Sequence, residues 1–163
     1  MAERAQPPPA GGEAPAPPAS DSRPTYVYEG PDLRGHAEQL RERRAEFEAM
    51  GGAERVERQH AEGKLTVRER LDLLFDPGSF TEFSLLGHHQ STFPAMQGKF
   101  TPADGCVTGI GRIDGRRVAV IAYDFTVMAG SMGMVGEIKS ARIREIALRE
   151  RIPLVWLVDS AGA

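Results

Sequence analysis

The chain has 163 residues, a formal net charge of −3 and a single cysteine, Cys106. That length is enough to bury one core, the charge gives no global pull toward nucleic acid, and one cysteine excludes an internal disulfide framework or a Cys-based zinc site from this chain alone. No apolar run is long enough to span a bilayer and the start carries neither a secretory signal nor a transit helix, so the expectation is a soluble, cytoplasmic protein with no membrane or nucleic-acid partner.

Residues 1–24, "MAERAQPPPAGGEAPAPPASDSRP", are rich in Pro, Ala and Gly and hold almost no large apolar side chain. Such a segment cannot offset the entropy of ordering, and a disordered tail is expected. A helical lead-in follows over residues 25–65. Within it "DLRGHAEQLRERRAEFEAM" spaces Leu33, Leu40 and Phe47 seven apart and ends on Gly51 and Gly52, which predicts a peripheral helix with one thin apolar stripe and a glycine C-cap. "AERVERQHAEG" predicts a second helix ending at Gly63.

A partial domain is expected over residues 66–163. Thr66 and Glu69 have capping-box spacing, Leu71, Leu74 and Phe75 form the apolar face of a helix, and Asp76-Pro77-Gly78 forces a turn into a strand over Phe80 to Leu85. Residues 87–103 show no period and read as a long loop. "DGCVTGIGRIDGRRVAVIAYDF" then gives two β-rich runs separated by Asp114-Gly115, a strong hairpin signal. The Gly-rich "TVMAGSMG" leads into "MVGEIKSARIREIALRERI", a helix that stops before Pro153. Its apolar residues lie on two faces, Met134, Ile138, Ala141 and Leu148 against Ile143, Ile146 and Ala147, so it is expected to be sandwiched. With a strand over Leu154 to Val158 the order is strand, loop, helix, strand, a parallel crossover.

Several motifs invite chemistry. "GIGRIDG" has the wrong glycine spacing for a dinucleotide fingerprint and runs into a hairpin, so Gly109, Gly111 and Gly115 read as sites of close packing and turning. "AGSMG", Ala129 to Gly133, leaves a buried strand and opens a helix whose first N–H groups suit a phosphate or a carbonyl oxygen gaining charge; a plain tight turn explains the same letters. Ser160 follows a strand, yet Val158 stands where the G-x-S-x-G elbow needs glycine, which favours a turn with reachable amides over a nucleophile. Adjacent His88 and His89 lack companion ligands and read as loop residues, so no metal is expected. Arg142, Arg144, Arg149 and Arg151 lie among Glu137, Glu145 and Glu150 as an ion-paired helix surface.

Three ordered blocks, "QHAEGKLTVRERLDLLFDPGSFTE", "DGCVTGIGRIDGRRVAVIAYDFTVMAGSMG" and "IPLVWLVDSAGA", together resemble the amino-terminal half of the carboxyltransferase (beta) subunit of biotin-dependent acyl-CoA carboxylases, the propionyl-CoA and methylcrotonoyl-CoA type. The resemblance runs from about Gln59 to Ala163. It implies an α/β, crotonase-like fold of ββα units and transfer of CO2 from carboxybiotin to the α-carbon of an acyl-CoA. It also implies a homo-oligomer working with a biotin carboxylase or biotin carrier subunit. No Met-Lys-Met acceptor signature is present, so biotin is expected on a separate carrier.

By the same resemblance the family's Ser-Gly-Gly-Ala motif matches Ser160, Ala161, Gly162 and Ala163, which makes the amides of Ala161 and Gly162 the expected oxyanion donors. Each such donor is typically worth about 3–4 kcal/mol. Gly130, Ser131 and Gly133 match a "GGS" stretch lining the CoA pocket, with Ala129 in place of its first glycine. The family's chains continue through a biotin-facing domain, so this chain is expected to be an amino-terminal fragment that does not turn over alone. The alternatives are a non-catalytic CoA-binding or subunit-pairing fragment and a crotonase-like decarboxylase, hydrolase or isomerase.

Overall fold

The computed structural model describes residues 28–162. The tail expected over residues 1–24 lies outside them. The compact unit begins at Asp32, whose carboxylate accepts the Gly35 N–H at 2.7 Å and caps helix α1, Leu33–Glu48. Only Phe47 of the expected stripe is buried; Leu33 and Leu40 face out. Phe47 packs edge-on against Phe100 with ring centroids 4.8 Å apart. The C-cap differs from expectation too. Met50, with φ 58°, takes the left-handed turn, whereas Gly51 is needed for its size, because a Cβ there would run into the Thr126 carbonyl.

Helix α2, Ala53–Ala61, and helix α3, Val67–Leu74, follow. The α3 capping box forms as spaced: Thr66 Oγ1 accepts the Glu69 N–H at 3.3 Å and Glu69 Oε2 accepts the Thr66 N–H at 2.7 Å. The Asp76-Pro77-Gly78 turn stacks Phe75 on Phe80 at 5.2 Å. Strand β1 is only Thr81–Phe83, because Ser84 turns left-handed (φ 55°). The expected loop over 87–103 contains one short 3-10 turn, Pro94–Met96, and runs into a second, Pro102–Gly105.

Strands β2, Cys106–Ile113, and β3, Arg116–Tyr123, form the hairpin, with Asp114 and Gly115 both at positive φ as a type I′ turn requires. The Asp76 carboxylate accepts both turn amides, at 3.0 and 2.8 Å. Helix α4, Met134–Glu150, then returns to strand β4, Leu154–Leu157. The sheet order is β1-β2-β3-β4, antiparallel except for the parallel β3–β4 pair.

Strand β3 is buried on both faces, which explains its unbroken apolar run. Val118, Val120 and Ala122 pack with Val67, Leu71 and Phe75 on the α3 side. Ala119 and Ile121 pack with Cys106, Ile143 and Ala147 on the α4 side. Helix α4 is therefore covered on one face only: Met134, Ile138 and Leu148 are 62–82% exposed. The sandwiched helix expected from its two apolar faces has no second layer among the described residues.

Candidate functional site

The two stretches singled out in the sequence, separated by helix α4 and strand β4, meet in space. The first, Ala129 to Gly133, follows β3 after a tight turn in which Asp124 Oδ1 accepts the N–H and hydroxyl of Thr126, at 2.9 and 2.6 Å. Met128, Ala129 and Gly130 then sit in succession at φ 50°, 52° and 73°. Two of these are not glycine, and each costs on the order of 1–2 kcal/mol in that region. A position where Ala129 is strained is one where glycine would serve better.

The second stretch, Asp159 to Gly162, is stitched to the first. The Ala161 N–H donates to the Ala129 carbonyl at 3.0 Å, and the Ser131 hydroxyl donates to the Gly162 carbonyl at 3.1 Å. Gly130 lies so close to the Asp159 carbonyl that a Cβ would collide with it. Ala161 is not among the residues at positive φ, so alanine fits there without strain. Ser160 Oγ accepts the Gly162 N–H at 3.1 Å, the geometry of a turn residue.

Beside this junction opens a cleft of about 470 Å3 whose lining includes Phe93, Met96, Met128, Ser131, Met132 and Gly133. Of the sequence-predicted cofactor-binding residues, Ser131 and Gly133 line it, while Gly130 lies beneath, against Asp159. Methionine-rich walls are apolar and adaptable. A smaller recess of about 240 Å3 lies between α2 and the first stretch, lined by Arg55, Arg58, Gln59 and Thr126 among others.

The N-terminus of α4 differs from the sequence expectation. Its Gly136 N–H is taken by the Asp104 carboxylate at 2.8 Å, so an internal acid occupies the positive end that the sequence offers to a ligand. Asp104 comes from the 3-10 turn before β2, where Ala103, Asp104 and Gly105 all have positive φ. Lys139 holds this turn from below, its ammonium donating to the carbonyls of Ala103 at 3.0 Å and Cys106 at 2.6 Å. Burial pushes the Lys139 pKa down and the Cys106 thiol up. Burial also raises the Asp124 carboxyl, against the two Thr126 hydrogen bonds.

Helix α2 and the turn before it reach the junction in a way no local pattern announces. Gly51 N–H donates to Thr126 Oγ1 at 2.9 Å, and the buried Gln59 carboxamide donates to Asp159 Oδ2 at 3.2 Å. The one available signal is a glutamine inside a charged helix, with nothing to say it points inward. His88 and His89 bond the loop itself, to the carbonyls of His89 and Lys99. Gly109 and Gly111 lie under the rings of Phe80 and Phe75, which accounts for the first two glycines of "GIGRIDG"; Gly115 serves the hairpin turn at φ 76°. Arg142, Arg144 and Arg149 pair with Glu145, Glu137 and Glu150 on the α4 surface.

A ββα unit with two small-residue turns joined beside an apolar cleft defines a class: an α/β domain whose helix crosses over between parallel strands. Comparison with known proteins makes the class specific. The model of the carboxyl transferase domain matches residues 58–163. The methylmalonyl-CoA carboxyltransferase 12S subunit of Propionibacterium freudenreichii subsp. shermanii is 46% identical over 131 residues, 80% of this chain and 25% of that one. The propionyl-CoA carboxylase beta chain of Roseobacter denitrificans is 44% identical over 126 residues, 77% of this chain and 25% of its own. The crystal structure of transcarboxylase 12S with methylmalonyl-CoA and methylmalonic acid bound superposes with a TM-score of 0.79 at 45% identity, covering 82% of this chain and 26% of that one.

The chain belongs to the carboxyl transferase domain family, and its ββα unit is part of the crotonase-like fold of those enzymes. It spans about a quarter of the length of the curated relatives it matches.

Proposed function

We propose that this chain forms the acyl-CoA-binding part of a biotin-dependent carboxyltransferase, with the thioester at the junction of the two small-residue turns. The observation that supports it most is the hydrogen-bonded meeting of Ala129–Ser131 with Ala161–Gly162 beside the 470 Å3 cleft. Biotin, carried by a separate subunit, would supply the CO2 group. The residues of this chain bind and orient the acyl-CoA and stabilise negative charge on the thioester oxygen.

Ala161 and Gly162 remain the proposed oxyanion donors, and their present partners rank them. The Gly162 N–H is held by a serine hydroxyl, which rotates away readily. The Ala161 N–H is held by the Ala129 backbone. Gly162 is then the donor that a thioester oxygen reaches first, and Ala161 follows if the junction opens. Gly133 and Ser131 line the cleft proposed to take the CoA, with Gly130 setting the closeness of the two turns.

By itself the 163-residue chain binds acyl-CoA without turnover. Calorimetric titration with propionyl-CoA and with CoA tests the first part, and incubation with methylmalonyl-CoA and free biotin tests the second. Saturable binding with no product is the expected result. Absence of binding overturns the acyl-CoA reading; steady turnover overturns the statement that this portion is insufficient alone. In cells the proposed partners are a biotin carboxylase or carrier subunit and further copies of the carboxyltransferase subunit.

A further inference from the structure

The buried carboxamide of Gln59 is 4% exposed and bridges two segments far apart in sequence. Its Nε2 donates to the Leu65 carbonyl at 3.3 Å, inside the α2–α3 connection, and to Asp159 Oδ2 at 3.2 Å, on the first residue of the small-residue turn. The buried amide is cut off from water and depends on this carbonyl and this carboxylate for its partners, so it ties the two segments that carry them together. Asp159 in turn presents its carbonyl against Gly130, and the next two residues carry the turn hydroxyl and the Ala161 amide bound to Ala129.

We propose that Gln59 and Asp159 form a positioning pair through which helix α2 sets the conformation of the 159–162 turn and thereby its ability to receive a ligand. The helical lead-in is then part of the site's support. Neither residue touches the ligand in this account; both act through the turn's backbone. A second contact, from the turn between α1 and α2, Gly51 N–H to Thr126 Oγ1, fixes the opposite side of the junction. The effect on ligand affinity rests on the acyl-CoA reading above, whereas the effect on turn conformation does not.

The pair predicts a pattern across four variants of the full chain. Asp159→Asn keeps an oxygen for Gln59 to bond. Gln59→Glu sets two carboxylates against each other, Gln59→Leu keeps the bulk and deletes the donor, and the double variant Gln59→Glu with Asp159→Asn restores a donor–acceptor pair in reverse. Two readouts are taken for each: hydrogen exchange of the Ala161 amide relative to the β4 amides of residues 155–157, and propionyl-CoA affinity.

The expected result is at least tenfold loss of Ala161 protection in Gln59→Glu and Gln59→Leu, less than threefold loss in Asp159→Asn, and recovery to within threefold in the double variant, with the β4 amides unchanged. Affinity follows the same order. Wild-type protection of Ala161 in Gln59→Leu, or a double variant no better than Gln59→Glu, overturns the pair. If Gln59→Glu does not fold, Gln59→Leu decides by the same amide. If the wild type binds no propionyl-CoA, the acyl-CoA reading fails while the exchange pattern still decides the pair.

Discussion

The carboxylate of Asp104 accepts the backbone N–H of Gly136 at 2.8 Å and so caps the N-terminus of α4 from a neighbouring strand's lead-in turn. The same carboxylate accepts the Thr101 hydroxyl at 3.3 Å. Asp104→Ala deletes both bonds and places alanine at φ 51°, with an expected loss of about 2–4 kcal/mol in urea unfolding. Asp104→Asn keeps an acceptor and tolerates the left-handed backbone, and is expected to lose about 1 kcal/mol.

Lys139 gives an alkaline signature. Burial lowers its pKa below the ordinary 10.5, so between the lowered folded value and 10.5 the unfolded chain binds more protons than the folded one. Stability contributed by this residue therefore rises with pH across that window. Cys106, whose pKa is raised above 9.0 by burial, works in the opposite direction. Comparing wild type with Lys139→Met isolates the lysine: the wild type gains stability relative to the variant as pH rises toward 10.5, read from urea unfolding at each pH.

At the acid end the reporter is Glu69. The His60 imidazole, 2.9 Å from Oε2, and the bonds that Oε2 accepts from the Thr66 N–H at 2.7 Å and the Thr66 hydroxyl at 2.8 Å hold its pKa down to about 2. A folded pKa below the ordinary 4.5 means the contribution is complete above 4.5 and is lost as pH falls toward 2. Carboxyl carbon shifts should show Glu69 titrating at about 2. Thr66→Ala, which removes the other half of the box, should cost about 1 kcal/mol at neutral pH.

Gly130 separates packing from backbone strain. Gly130→Ala meets the Asp159 carbonyl at φ +73°, whereas Gly98→Ala at φ +72° meets open space. The Gly98 variant should lose about 1–2 kcal/mol for the left-handed conformation alone. The Gly130 variant should lose about 1–3 kcal/mol more for the overpacking, and acyl-CoA affinity with it.

Local rules carried most of the fold. Thr66 and Glu69, Asp114-Gly115 and the apolar run of β3 act through neighbours a few residues away, and each formed the element its spacing predicts. Leu33 and Leu40 misled because a heptad stripe names a face without naming what covers it. The site was half legible: the two small-residue turns stand out as composition, but Asp104 on Gly136 and Gln59 on Asp159 link residues 32 and 100 positions apart. Such pairs leave no periodic trace. Ala129 shows the same limit: the resemblance marks it as standing in place of a glycine, and the φ of 52° that gives the physical reason is visible only in the structure.

The central claim is that the junction of residues 129–133 and 159–162 receives an acyl-CoA. Titrating the isotope-labelled chain with propionyl-CoA while following every backbone amide tests it most directly. The account predicts saturable shifts concentrated at Ser131, Met132, Gly133 and Gly162, with the Gly162 amide moving most as it leaves Ser160 Oγ. Shifts confined to other surfaces, or none at saturating ligand, would contradict it.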